Sequence, residues 1–450
     1  MSATMKHSGS IDSKDRLFFA GNIVFRPYPD GWLVVSIQSA NWIVIRSAMQ
    51  KELLERLIEG STIGELMPMI QSESDLSQLK SLLSAIFARD FARTDAPPQT
   101  NYLEGYKMLN CYLTNACNLR CKHCFMRSGI PLKDELPASE WKRILEEFHN
   151  AGGVSVTFSG GEPLMNRDFD KILKFAHSID LNTTVLTNGL LWTEERIQEL
   201  SPTITEIQVS IDGVDESSNA KVRGKGHFDR IVSTVVGFAN AGVRTSVATT
   251  FTFDNLQDDT AARYKSFVEA VKSKCTSPVF FKLSKKILAG RNTNYTQEEN
   301  RTYYNRIVEI ERSIDSGALF NNFIEGHSPN MVENNCGFGG ISIGADGEVY
   351  FCNRISEVDS YGNIQGKPIA QFIKLGHELH LKTAVDNLTP CRECHLRYIC
   401  DGGCRIDECN FKGRIKGFDG DLRQIACNEE NRKRLEQKMI DSFNFFYTFK

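Results

Sequence analysis

The run Cys117-Asn118-Leu119-Arg120-Cys121-Lys122-His123-Cys124 brings three thiols into one short loop. Three thiolates so spaced can each hold one iron of a [4Fe–4S] cluster. The fourth iron is then left without a protein ligand, whereas such clusters ordinarily take four cysteines. An open iron is a place for chemistry as well as a staple. The competing reading is part of a zinc site, since closed zinc sites often use paired cysteines. His123 is the nearby fourth ligand for that reading. It directly precedes Cys124, an awkward place from which to close a tetrahedron, and the x3 and x2 spacing departs from Cys-x2-Cys knuckles.

Around this loop, strand-like and helix-like segments alternate from residue 104 to 290. The apolar strand candidates are Lys107–Leu113, Val154–Phe158, Thr183–Leu186, Glu206–Ile211, Arg244–Phe251 and Val279–Leu283. Helical patterns lie between them at Ser139–Ala151, Asp168–Ser178, Glu194–Leu200, Phe228–Ala241 and Ala261–Lys272. Repeated βα units predict an α/β fold with a parallel sheet. Six strands are too few for a closed eight-stranded barrel, so a partial (β/α)6 barrel is expected. Active sites of such sheets lie at the carboxyl ends of the strands. The cysteine trio follows the first strand and falls at that end.

The second strand candidate leads into Ser159-Gly160-Gly161-Glu162-Pro163. Two glycines let the backbone approach a ligand closely. Glu162 offers a carboxylate to an ammonium group, and Pro163 fixes the turn. Alone this would be a weak turn signal; one βα unit after the trio it is a strong one.

The trio and Gly160–Pro163 together resemble the radical S-adenosylmethionine (SAM) superfamily, whose three-cysteine signature is met in full. The resemblance implies that the open iron chelates the amino and carboxylate groups of SAM's methionine part. It implies also that Gly160, Gly161 and Glu162 hold the amino group. Reductive cleavage would then give a 5′-deoxyadenosyl radical that takes hydrogen from the substrate, the protein supplying placement and shielding. Further family-like segments are Thr187-Asn188-Gly189, Ser210-Ile211-Asp212-Gly213 and Arg223-Gly224-Lys225-Gly226-His227-Phe228. The resemblance implies Pro163 and Asn188 in the cofactor site, Ser210 on the ribose side and Arg223 at the SAM carboxylate. Asp212-Gly213 also reads as a plain turn.

The C-terminal cysteines are equally patterned. Cys336-x10-Gly347-x4-Cys352 is followed by Cys391-x2-Cys394-x5-Cys400-x3-Cys404 and by Cys427. This looks like a SPASM domain, an extension of radical SAM enzymes that binds two auxiliary [4Fe–4S] clusters, making three in all. The family's interleaved arrangement would give Cys336, Cys352 and Cys404 to the first auxiliary cluster, and Cys391, Cys394, Cys400 and Cys427 to the second. The first then has three matched ligands. It has either an open iron or a fourth ligand from Cys409 or a non-cysteine group. A zinc ribbon is the plain alternative for Cys391–Cys404 in isolation; the motif gains its meaning from the radical SAM context.

Composition bounds the rest. The chain has 450 residues, net charge −3 and 13 cysteines. Mixed charge gives no bulk attraction to nucleic acid, and no apolar run reaches the length of a membrane span. Met1 to Lys14 read as a loose polar tail without the apolar core of a secretory signal. A cytoplasmic location is therefore expected, where cysteine clusters favour metal or redox roles over disulfides. Cys111 and Cys275 stand apart and read as small buried hydrophobes.

Residues 15–95 predict a small α+β, winged-helix-like module. Its strand runs are Leu17–Ala20, Trp32–Gln38 and Trp42–Arg46. Its helices are Met49–Ile58, a short one capped by Ser61 or Thr62 and running through Met69, and one from Leu76 to Phe87. It lacks the basic cluster of a DNA-binding winged helix. The order of elements resembles the PqqD-like recognition element of enzymes that modify ribosomally made peptides. There a leader peptide adds as a strand to the sheet edge and rests against a helix. The plain alternative is a structural cap on the barrel. Residues 96–103 read as a linker, 291–335 as a bridge and 336–450 as the cysteine-rich iron–sulfur domain.

Three functions compete. A peptide maturase would install a thioether, carbon–carbon or carbon–oxygen crosslink in a precursor peptide whose leader binds residues 15–95. It would draw electrons from an external reductant such as flavodoxin or ferredoxin. An anaerobic sulfatase-maturating type of dehydrogenase would oxidise a Cys or Ser side chain. In those relatives an aspartate directly after the second SPASM cysteine is the proposed base, and here that position is Asn353. A non-catalytic, peptide-binding iron–sulfur protein would use its clusters only to hold shape.

Overall fold

The computed structural model describes residues 12–102, 107–314, 323, 327, 329–413 and 422–447. Most of the expected tail 1–14 and part of the bridge 291–335 lie outside the described residues. The N-terminal module is a three-stranded antiparallel sheet in the order β1 (Ile23–Tyr28), β2 (Gly31–Ser36), β3 (Asn41–Ile45). The sequence reading put its first strand at Leu17–Ala20. Instead Phe18–Phe19 pairs antiparallel with Ala92–Arg93, and the sheet begins with β1. Pro27 and Arg26 break up the apolar run of β1 and hid it from the pattern. An edge strand tolerates proline because its outer face needs no ladder donor.

Helix Ala48–Ile58 starts at Ser47, whose side chain accepts from the Gln50 amide. The second helix is a 3-10 segment, Gly64–Met69. Across its start Thr62 and Glu65 bond reciprocally: Thr62 N donates to Glu65 Oε2 at 2.7 Å, and Glu65 N to Thr62 Oγ1 at 3.3 Å. The third, Glu73–Ala88, begins at a Ser72 cap, earlier than expected. The module rests on the last helix, Glu429–Phe446. Trp42, fully buried, donates its indole N–H to Met439 O at 3.1 Å.

The central sheet carries β4 (Met108–Tyr112), β5 (Ser155–Ser159), β6 (Asn182–Thr187), β7 (Glu206–Ser210), β8 (Arg244–Thr249) and β9 (Val279–Leu283), all parallel and in sequential order. The sheet has eight strands, not the six expected. β10 (Ser342–Ile343) adds parallel to β4, and β11 (Val349–Tyr350) adds antiparallel to β10. Leu109 and Cys111 of β4 are fully buried, so an uncovered β4 would leave its ladder groups without partners. The cysteine-rich part supplies that cover through a hairpin turned by Gly347 at φ +85°. Two-residue strands carry no periodicity, so nothing in their sequence announced them. Within the expected linker, Asn101–Tyr102 pairs in parallel with Met331–Val332.

Helices cover the sheet with one apolar face each. Trp141, Ile144, Leu145 and Phe148 line the buried side of Ala138–Asn150, and Phe169, Ile172, Leu173 and Ala176 that of Phe169–Ser178. Both sets follow the i, i+3, i+4, i+7 spacing of an amphipathic helix. Of the bridge, Gln297–Ile314 is a helix that lies against Thr260–Lys272, with Ser313 Oγ donating to Ala261 O at 3.4 Å. No helix among the described residues is long and apolar enough to cross a membrane.

Trp192 ties this core to the sheet's carboxyl end. It is 1% exposed and meets Phe169 and Phe238 edge-on, with centroids 6.1 and 4.8 Å away. Its Nε1 donates to Thr187 Oγ1 at 3.2 Å. Replacing Trp192 by Ala should cost about 3–5 kcal/mol, read as a lower midpoint in anaerobic urea unfolding.

Candidate metal and cofactor site

The chain leaves β4 through Leu113 to Ala116 and enters the cysteine loop. The next loop, after β5, is laid directly on it. Gly161 N donates to Thr114 O, and Glu162 N to Ala116 O, both at 2.8 Å. This contact requires glycine. A Cβ on Gly160 would sit 2.4 Å from Thr114 O, and one on Gly161 2.2 Å from Ala116 O. Gly160 also holds φ at +132°, which disfavours any side chain.

Other backbone bonds fix the loop elsewhere. Cys117 N donates to Gly129 O at 3.1 Å, Lys122 N to Val222 O at 3.0 Å and Arg291 N to Cys124 O at 3.1 Å. The three cysteines are thus held by the β5 loop, by helix Glu216–Arg223 and by the start of the bridge.

Glu162 is completely buried. Its carboxylate accepts from Asn188 N at 2.7 Å and from Thr187 Oγ1 at 2.8 Å, linking the β5 and β6 loops. Burial pushes its pKa up to about 7, against those hydrogen bonds. Its peptide N–H and both carboxylate oxygens are therefore engaged within the protein. Pro163 opens a short 3-10 turn after it. Asn188 Nδ2 donates to Asn118 Oδ1 at 2.7 Å, placing it inside the cysteine loop, and lies 4.0 Å from Cys117 Sγ. Ser210, half-buried, ends β7 two residues before Asp212.

Asp212 is more than a turn residue. It is 1% exposed, and its Oδ1 accepts from Thr250 N at 2.7 Å. Its Oδ2 pairs with the Arg223 guanidinium, Nε at 2.6 Å, and lies 3.2 Å from His123 Nε2. Burial lowers the His123 pKa, so the ring is held toward its neutral form despite Asp212. Arg223 is 8% exposed. Its charge offsets part of the burial that pushes Cys121 up to about 11 and raises Cys117. The sequence reading placed Arg223 on a ligand carboxylate; the structure gives its Nε a protein carboxylate. His123 and Asp212 had been set aside, and only their proximity in space links them to the site.

The later cysteines fall into two groups. Cys391, Cys394, Cys400 and Cys427 all line one cavity of about 920 Å³, with Gly402, Gly403 and Glu408. Cys352 and Cys404 share Arg354: its backbone N–H lies 3.5 Å from Cys352 Sγ, and its Nη1 3.4 Å from Cys404 Sγ. Asp407 accepts from the same Nη1 at 2.7 Å, and Glu357 also pairs with the guanidinium. Burial pushes Cys352 up to about 11, with Cys336 and Cys404 adding to it. Cys111 is fully buried and Cys275 partly so. Among the described residues, no three His, Cys, Asp or Glu side chains converge on a point where a single metal ion would be held. A zinc site needs that convergence; a cubane takes its thiolates at separate corners. Iron–sulfur clusters take thiolates as ligands, and thiols are the donors that the clamped loop and the four-cysteine cavity bring together, with Cys352 and Cys404 joined through Arg354.

Residues 111–267 match the Radical SAM superfamily. The chain carries a radical SAM domain. It is 30% identical over 196 residues to the sporulation killing factor maturation protein SkfB of Bacillus subtilis (strain 168), covering 42% of this chain and 46% of that one. It thus spans about half the length of that relative. Fe-coproporphyrin III synthase of Methanosarcina barkeri is 25% identical over 337 residues, 65% of this chain and 82% of that one. Among solved structures, Streptococcus suis SuiB bound to its precursor peptide SuiA aligns with a TM-score of 0.50 at 17% identity, covering 88% of this chain and 97% of that one. Native anSMEcpe with bound AdoMet gives 0.54 at 20%, covering 76% and 99%. These two share the fold. The relatives include a maturation protein and a coproporphyrin synthase, so their names alone do not fix a substrate for this radical SAM domain.

Gly161 gives the sharpest test of the site. In Gly161→Ala the cysteine loop must move, because the new methyl meets backbone. Iron after anaerobic reconstitution should fall by roughly four per chain, the content of one [4Fe–4S] cluster. Far-UV circular dichroism should be unchanged.

Proposed function

We propose that this chain is a cytoplasmic radical SAM/SPASM peptide maturase. It takes a ribosomal precursor peptide by its leader and installs a crosslink in the core segment, a thioether or a carbon–carbon or carbon–oxygen bond between side chains. The observation that carries the reading is the clamp between the cysteine trio and Gly160–Glu162 at the carboxyl ends of adjacent parallel strands. With its cofactors bound, the site would supply a 5′-deoxyadenosyl radical able to take hydrogen from an unactivated carbon.

The chain's own residues place those cofactors. Cys117, Cys121 and Cys124 hold three irons of the first [4Fe–4S] cluster. Gly160, Gly161, Glu162 and Pro163 form the wall against the methionine end of SAM, Ser210 the ribose side, and Asn188 the floor beside Cys117. Arg223, anchored by Asp212, presents positive charge toward the carboxylate. Cys336, Cys352 and Cys404 hold one auxiliary [4Fe–4S] cluster; Cys391, Cys394, Cys400 and Cys427 hold the other. Flavodoxin or ferredoxin serves as external reductant.

The peptide part of the reading rests on residues 15–95, taken as a PqqD-like, winged-helix module. Every residue of β3 is buried, whereas β1 is the other sheet edge and is only partly covered. Beside β1 runs a cavity of about 560 Å³, lined in part by Phe18, Ile23, Phe25 and, from helix Ala48–Ile58, Ile58. A leader added as a strand along β1 would set alternate side chains into that cavity. The dehydrogenase reading is disfavoured because Asn353 stands where a carboxylate base is needed, and an amide takes up no proton at neutral pH.

Anaerobic incubation with SAM, dithionite and the co-expressed precursor tests the reading. The expected result is 5′-deoxyadenosine together with a peptide lighter by two hydrogens per crosslink. Absence of 5′-deoxyadenosine would leave the non-catalytic protein, and unchanged peptide mass would replace crosslinking by epimerisation. The docking site has its own check. Phe18→Asp with Ile58→Asp should weaken binding of a fluorescent leader peptide about tenfold or more by anisotropy, with iron content unchanged.

A further inference from the structure

The eighth cysteine of the C-terminal part, Cys409, is left over by the seven-cysteine pattern. We infer that Cys409 is the fourth thiolate of the first auxiliary cluster, beside Cys336, Cys352 and Cys404, and that this cluster has no open iron. The inference rests on the auxiliary-cluster reading above.

Three backbone segments meet at this place. Gly339 N donates to Phe351 O at 2.7 Å, tying the Cys336 loop to the Cys352 strand end. Arg354 ties Cys352 to Cys404, with Asp407 accepting from its guanidinium. Phe338 packs on Phe411 with ring centroids 5.4 Å apart, which brings the Cys336 segment against the Cys409 segment. Glu408 N donates to Cys404 O at 2.9 Å, closing a turn that ends one residue before Cys409.

Cys409 is 8% exposed. The second group has four cysteines of its own. That group is already complete. Its four cysteines line one cavity, and Cys409 is not among the residues lining it. A closed first cluster would carry electrons and would not bind a substrate thiolate.

The test uses the full chain with Cys117→Ala, Cys121→Ala and Cys124→Ala, which leaves only the auxiliary sites. After anaerobic reconstitution this parent should hold about eight irons. Its reduced clusters should show no coupling to added ¹³C-cyanide in pulsed EPR. Adding Cys409→Ala should either create a ¹³C-cyanide coupling or remove about four irons. Adding Cys409→Asp should keep the irons and change the g-values of one cluster through oxygen ligation. Cyanide coupling in the parent, or spectra unchanged by both Cys409 variants, would overturn the assignment. A parent that holds no iron would instead overturn the auxiliary-cluster reading on which it rests.

Discussion

Two backbone hydrogen bonds, Gly161 to Thr114 and Glu162 to Ala116, hold the site together. They join loops that follow β4 and β5, strands that are already paired in parallel along Met108–Tyr112 and Ser155–Ser159. The sheet register therefore sets where the cysteine loop meets its neighbour, and the absence of two Cβ atoms sets how closely. Neither constraint alone would suffice. A correct register with a side chain at residue 161 would drive a methyl into Ala116 O, and flexible glycines on a slipped strand would meet the wrong carbonyls. The cysteine loop has little regular structure of its own; its shape is borrowed from the sheet.

The same end of the sheet buries charge, and the burial is organised. Glu162 and Asp212 are both essentially inaccessible, a costly state unless each is hydrogen-bonded or paired. Glu162 is satisfied by donors from the β6 loop. Asp212 is satisfied by Arg223 and by the Thr250 amide from beyond β8. Glu162 thus links the ends of β5 and β6, and Asp212 those of β7 and β8. Arg223 then stands beside Cys117 and Cys121 with its position fixed from behind. Its charge lowers both thiol pKa values against the larger effect of burial, toward the thiolate that a metal needs.

Much of this was legible in the sequence because it repeats or is spaced. Each βα unit carries its own apolar strand and amphipathic helix, so the alternation from Lys107 to Leu283 reads without tertiary information. The trio and Gly160–Pro163 are local in sequence and lie on neighbouring strands by the rule of sequential βα order. Contacts made between distant, unremarkable residues were not legible. Asp212-Gly213 has the composition of a turn, and His123 looks like a spectator among cysteines. Their pairing exists only because helix Glu216–Arg223 folds back over the loop. Likewise Ser342–Ile343 is too short to show a period, and it becomes a strand only because β4 offers an unpaired edge.

One carboxylate links the N-terminal module both to the last helix and to the cysteine-rich part. Glu436, on the last helix, accepts from Arg26 of β1 at 2.9 Å and contacts His395 Nε2 at 2.7 Å. Burial opposes its ionisation, yet His395 and Arg26 together keep its pKa below the ordinary value. His395 directly follows Cys394, one of the cavity-lining cysteines. Arg26 lies on the partly covered strand beside the 560 Å³ cavity. Trp42, on β3, adds a second joint to the same last helix through Met439 O. A shift of β1 that displaced Arg26 would leave Glu436 half-buried with one cation fewer, and the remaining pull would fall on His395. The module is thus seated on the cysteine-rich part through groups that reach from β1 to the loop of Cys394, and its position is set by that part as well as by the linker.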